Sequence, residues 1–199
     1  ENEDPIDLAV IHGLEDPDEL KSYKLTNFVP FDPVSKRTEA TVHTEEGKTF
    51  YVTKGAPQVI LNLSKPDDSI FSEANETVGR FAKKGFRTLG VARSQDGENW
   101  EFLGLLPMAD PLREDSASTI REAEEHGLQV KMVTGDNIAI AKEIAGQLNL
   151  GDKIYPAGDL LGEKGEMSPD TAEKVAEANG FAEVFPEHKH GIVKALQET

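Results

Sequence analysis

The chain has 199 residues, 37% of them hydrophobic and 29% charged, and its 37 acidic against 21 basic side chains leave a net charge of −16. That balance disfavours nucleic acid and anionic membrane surfaces as partners, and no apolar run approaches the ~18 residues of a membrane-spanning helix. The opening Glu1-Asn2-Glu3-Asp4 does not read as a secretory signal, and the lack of cysteine excludes disulfides and thiolate metal sites.

In chain order, Asp4-Pro5 followed by Ile6, Ala9 and Val10 predicts a capped helix ending near Gly13, with Asp7 on its first turn. A short acidic helix near Asp18–Lys21 and a strand toward Phe28 follow. Thr38, Ala40 and Val42, then Phe50 and Val52, alternate with polar residues around the turn Glu45-Glu46-Gly47-Lys48. This period and turn predict an antiparallel hairpin, which brings Phe31, Lys36 and Lys54 toward one end of a small sheet. An aromatic ring beside two ammonium groups suits a base carrying phosphates. The same residues also describe a buried phenylalanine and two solvated lysines. Phe28 to Arg93 holds ten Lys/Arg and eight Asp/Glu, a local net of +2 inside an acidic chain. Such a basic island fits a small polyphosphate ligand, or chance clustering. Pro57–Leu63 and Ser72–Lys84 read as helices, the second stopping at Gly85. Thr88–Ala92 reads as a strand with Arg87 at its entry and an Asp96-Gly97 turn after it. The first unit is thus an α+β arrangement on an antiparallel sheet.

The pattern then changes. Phe102-Leu-Gly-Leu-Leu106 is a continuous apolar run, as expected of a strand buried on both faces. Helices over Ser116–His126, Ile138–Leu148, Asp170–Ala178 and His188–Gln197 alternate with strands at Val130–Val133, Ile154–Tyr155 and Phe181–Phe185. This βα alternation predicts a parallel sheet. Two domains follow, 1–103 and 104–199, with Pro107–Pro111 as a hinge.

Thr134-Gly135-Asp136 lies after a strand and before a helix, at the carboxyl edge where parallel sheets bind ligands. A threonine hydroxyl and free N–H groups at a helix N-terminus favour phosphate there, and the aspartate could hold Mg2+ or a ribose. Thr and Asp are also ordinary helix caps. Lys189 opens the last helix, at another strand end, or is a solvated surface charge. Asp110 and Arg113, three apart, could pair and stiffen the hinge, the arginine could reach into the sheet's edge, or the two mark a plain turn. The five histidines show no metal-ligand spacing and read as surface or helix-end residues.

Taken in order, Phe31-Asp-Pro-Val-Ser-Lys-Arg-Thr38, Lys54-Gly-Ala-Pro57, Asp110-Pro-Leu-Arg113, Met132-Val-Thr-Gly-Asp136 and Val184-Phe-Pro-Glu-His-Lys189 resemble the cytoplasmic region of P-type ATPases. The Phe-x-Pro-Phe-x-Pro entry and the Val-Phe-Pro-Glu-His-Lys ending are most similar to the plasma-membrane proton-pumping branch. The resemblance implies an antiparallel-sheet nucleotide-binding domain joined to a partial, parallel-sheet phosphorylation domain of haloacid-dehalogenase, Rossmann-like type. It implies ATP and Mg2+ as cofactors, ATP or ADP as ligand, and a soluble piece from the cytoplasmic face of a membrane pump. It further implies that Phe31 stacks on adenine with Asp7 near its amino group. Lys36 and Lys54 would border the pocket and phosphates, and Arg87 would reach toward the phosphates. Thr134, Gly135 and Asp136 would hold the transferring phosphate and ribose, Lys189 would neutralise the phosphorylated aspartate, and Asp110 with Arg113 would belong to the hinge.

The family's Asp-Lys-Thr-Gly-Thr nucleophile segment and its Gly-Asp-Gly-x-Asn-Asp metal segment do not occur. The expected partners are therefore the missing phosphorylation-domain strands, the actuator domain and the membrane helices of the same parent, and the chain alone is expected to be inactive. No metal ligand is assigned within it. A nucleotide-binding or scaffolding module without catalysis, or a phosphatase of the same superfamily, are the other readings. In other branches an arginine stands where Glu183 falls, so no ribose role is carried there.

Overall fold

The computed structural model describes residues 5–160 and 169–198. The expected cap Asp4 lies outside the described residues. Two compact units divide the chain, Glu1–Phe81 with Phe86–Ala109, and Ala82–Gly85 with Asp110–Thr199.

The first unit is a five-stranded antiparallel meander in which each strand pairs with its neighbour in the chain. Its strands are β1 (Tyr23–Val29), β2 (Arg37–Thr44), β3 (Thr49–Gly55), β4 (Arg87–Ser94) and β5 (Trp100–Met108). Helix α1 (Pro5–His12) and a 3-10 turn (Pro17–Ser22) precede the sheet, while α2 (Pro57–Ser64) and α3 (Asp68–Ala82) lie between β3 and β4. Helix α2 supplies the core: Ile60 and Leu61 are fully buried, and Ile60 joins Ala92 and Trp100. Burying each such aliphatic side chain contributes roughly 1.5–3 kcal/mol. The helix can approach because β4 has a glycine beneath it. A Cβ on Gly90 would sit 2.9 Å from the Ile60 Cβ.

The run Phe102–Leu106, expected to be buried on both faces and to open the second unit, belongs instead to the edge strand of this first sheet. The Asp96-Gly97 turn folds β5 back on β4. A bulge then breaks the inside–outside period, because Ala92 faces Phe102 and Val91 faces Gly104, leaving Leu103 as the extra residue. Leu103 is accordingly 52% exposed. The main run of the second unit therefore begins within the anticipated hinge, at Asp110.

The second unit holds a parallel sheet of β6 (Met132–Val133), β7 (Ile154–Pro156) and β8 (Gly180–Ala182) in the order β6-β8-β7. Its helices are α4 (Ser116–Glu125), α5 (Ile138–Gln147), α6 (Ala157–Leu160), α7 (Pro169–Glu177) and α8 (Pro186–Glu198). The central strand β8 is buried throughout, and Phe181 packs with Val175, Ile192 and Ala195 from α7 and α8. On its other side Ala182 joins Ala141, Ala145 and Ile154. Lys131 donates to the carbonyls of Ala176 (2.6 Å) and Ala178 (2.7 Å), closing the C-terminal end of α7. Burial pushes its ammonium pKa down. Among the described residues no helix is long and apolar enough to cross a membrane.

Candidate functional site

In the first unit, Phe31 to Lys36 forms a tight turn that Asp32 builds. Its carboxylate accepts the N–H groups of Val34 (3.1 Å) and Ser35 (2.7 Å), and its carbonyl accepts the N–H of Lys36 (2.7 Å). The bond from Ser35 leads in holding this carboxyl below its ordinary range. Lys36 then turns into the left-handed region at φ 52°, which aims its carbonyl at the N–H of Ala56 (3.0 Å). The turn thereby docks on the end of β3, where Gly55 faces Arg37 and Lys54 faces Thr38. Only glycine fits there, since a Cβ on Gly55 would meet the Lys36 carbonyl and lie 2.7 Å from the Arg37 Cα.

At this end of the sheet the Phe31 ring is 61% exposed, so a buried phenylalanine is not what the sequence encodes. The Lys54 ammonium is 2.6 Å from the Asp7 carboxylate on α1. Both side chains keep some contact with water, which limits such a pair to about 0–1 kcal/mol. Strand β4 starts at Arg87, beyond its Gly90–Gly55 pairing, so Arg87 lies at the same end. The first unit thus gathers Phe31, Lys36, Lys54, Asp7 and Arg87 there.

In the second unit, Thr134-Gly135-Asp136 leaves the carboxyl end of β6. The Thr134 hydroxyl donates to the Asp136 carboxylate (2.9 Å) and accepts the Asp136 N–H (3.1 Å), closing a small ring. The loop is stitched to the end of β8: Thr134 N–H bonds the Phe181 carbonyl (2.9 Å), and Val184 N–H bonds the Thr134 carbonyl (3.0 Å). Lys189, exposed on the first turn of α8, follows from this same edge. Its neighbour His188, read from sequence as a surface or helix-end residue, is at a helix end yet only 8% exposed. Its Nδ1 accepts the Phe185 N–H (3.3 Å).

The free helix N-terminus expected after Asp136 is corrected by the structure. Asn137 caps α5 through the Ala139 N–H (2.9 Å), and the Glu183 carboxylate takes the N–H of Ile138 (3.2 Å). The helix end already has its anion. Asp110 begins the second unit. Arg113 forks onto Asp115 (2.9 and 3.2 Å), a partner the sequence reading did not foresee. No group of three or more His, Asp or Glu among the described residues is arranged to hold a metal ion.

Sequence reasoning gave no role to Asp32, Gly55 or Asn137, and named Glu183 only to withhold a ribose role from it. Asp before Pro signals a turn, and Asn before an apolar run signals a cap, so two were readable. Glu183 sits at φ 55°, which no glutamate advertises.

Residues 33–198 match the family of haloacid dehalogenase-like hydrolases, and the chain belongs to that family. Over its whole length it is 45% identical to a Methanocaldococcus jannaschii protein named "putative cation-transporting ATPase". The chain spans 25% of the length of that relative.

Proposed function

We propose that this chain is the ATP-binding portion of a P-type cation-transporting ATPase of the proton-pumping branch, on the cytoplasmic face of its membrane. The observation that carries the reading is the docking of the Phe31–Lys36 turn on Gly55 and Ala56, which keeps the exposed Phe31 at the same end of the sheet as the Lys54–Asp7 pair. The identity with a cation-transporting ATPase supports it from outside the structure.

In this reading the first unit takes the base. Phe31 stacks on adenine, Asp7 accepts from its amino group, Lys36 and Lys54 border the pocket, and Arg87 reaches toward the phosphates. The second unit takes the other end: Thr134, Gly135 and Asp136 meet the transferring phosphate and ribose, with Asp110 and Arg113 at the hinge. An aspartate elsewhere in the parent attacks the γ-phosphate, and Lys189 offsets the charge that spreads over it. ATP in such enzymes travels with Mg2+. No group of three or more His, Asp or Glu among the described residues is arranged to hold that ion. The remaining phosphorylation-domain strands, the actuator domain and the membrane helices of the parent complete the machine.

Calorimetric titration with ATP and ADP tests the reading. Stacking a base is worth roughly 1–3 kcal/mol and exposed ion pairs about 0–1 each, so Kd falls on the order of 0.1–1 mM. ATP and ADP should bind within about fivefold of each other, about 1 kcal/mol. Phe31→Ala should weaken binding more than Lys189→Ala. A hundredfold preference for ATP, or full affinity in Phe31→Ala, would sink the base-first reading.

A further inference from the structure

We infer that Glu183 is the positioning residue of the Thr134–Asp136 loop, and that its carboxylate keeps the N-terminus of α5 closed to phosphate. The inference rests on that loop being the phosphate end of the proposed function. Glu183 touches the loop once and the start of α5 twice. Its own N–H donates to the Asp136 carbonyl (2.9 Å), while its carboxylate accepts from the Ile138 N–H (3.2 Å) and from the Asn137 side-chain amide (3.3 Å). These contacts bind β8's end to a segment 45 residues earlier in the chain. To make both at once the residue holds φ 55°, a conformation that carries strain for any side chain with a Cβ. A plain helix cap does not explain this arrangement, because Asn137 already caps α5 through the Ala139 N–H.

The chemistry follows from charge. A helix N-terminus carries partial positive charge and unpaired N–H groups, and attracts anions. Here the protein supplies that anion itself, so a phosphoryl group at the loop is met on the Thr134 side and excluded from Ile138. Glu183 therefore sets both the shape of the loop and the side from which it receives phosphate.

Amide spectra of the whole 15N-labelled chain test this with inorganic phosphate as probe. In the wild-type chain, millimolar phosphate should leave the Ile138 and Ala139 resonances unmoved. In Glu183→Ala, exchange at the Ile138 N–H should rise about tenfold, as for loss of one charge-assisted hydrogen bond, the Thr134–Asp136 resonances should shift, and phosphate should move Ile138. Glu183→Gln keeps an acceptor of the same shape without the charge, so its Ile138 exchange should fall between wild type and Glu183→Ala. Unchanged exchange in Glu183→Ala overturns the inference, as does a wild-type Ile138 that responds to phosphate. Should Glu183→Ala fail to fold, the wild-type titration and Glu183→Gln decide, and a folded Gln variant with wild-type Ile138 exchange and no response to phosphate overturns it. None of these readouts uses a nucleotide or the first unit, so they fail independently of the ATP titration.

Discussion

Single residues fix the site in the first unit more tightly than any helix does. Gly55 is the clearest case, because the turn that presents Phe31 and Lys36 rests against its missing side chain. Gly55→Ala must push that turn off β3. The expected cost is about 1–3 kcal/mol, as for overpacking elsewhere, read as a lower urea midpoint, and adenine-nucleotide binding should weaken with it. Asp96 governs the β4–β5 turn in another way. Its carboxylate accepts the N–H groups of Glu98 and Asn99 (2.9 and 2.7 Å), and the Asn99 bond leads in drawing its pKa far below the ordinary carboxylate value. A depressed folded pKa contributes stability above the unfolded value near 3.9, and loses it as the pH falls through that range toward the folded value. Asp96→Ala should therefore be less stable than wild type at neutral pH, with the gap in thermal midpoint narrowing on acidification. A gap that widens in acid would contradict this assignment.

At the scale of elements, the outer strand of the meander is its weak member. Every residue of β1 is exposed, whereas β3 and β4 both contain buried positions. Amide exchange should be fastest in β1 among the five strands, with the Ile60–Ala92–Trp100 region slowest in that unit; uniform protection across the sheet would refute this. The elements also show what sequence can carry. Alternation and a glycine turn were enough to locate β2 and β3, although the buried positions of β3 are Thr53 and Gly55 rather than the alternating Phe50 and Val52. The same rule failed at Phe102–Leu106, because a bulge puts an extra apolar residue outside and imitates a strand buried twice. The short parallel strands were legible from their βα spacing, although Val130 and Lys131 precede β6. Motif order picked out Phe31, Lys54, Thr134 and Lys189. It gave no hint that Asp7 and Lys54 pair, or that Glu183 fills the end of α5, because both contacts join segments far apart in the chain.

For the molecule as a whole, each unit has its own fully buried centre, Ile60 and Leu61 in the first and Phe181 and Val175 in the second. The proposed function adds an expectation for the complete chain. Without an Asp-Lys-Thr-Gly-Thr segment it should form no acid-stable phosphoenzyme from labelled ATP and should hydrolyse ATP no faster than buffer. Turnover abolished by Lys189→Ala would show instead that the chemistry resides here. The meander has one more consequence, for synthesis. Each strand of the first sheet meets a partner made immediately before or after it, so loop closure costs little and pairing can follow the ribosome. Strand β6 must wait for β8, since Met132 pairs with Gly180. During translation the end proposed to bind the base would therefore be assembled while the edge proposed to meet phosphate is still unmade, and under that proposal a nucleotide would meet the nascent chain before α8 has left the exit tunnel.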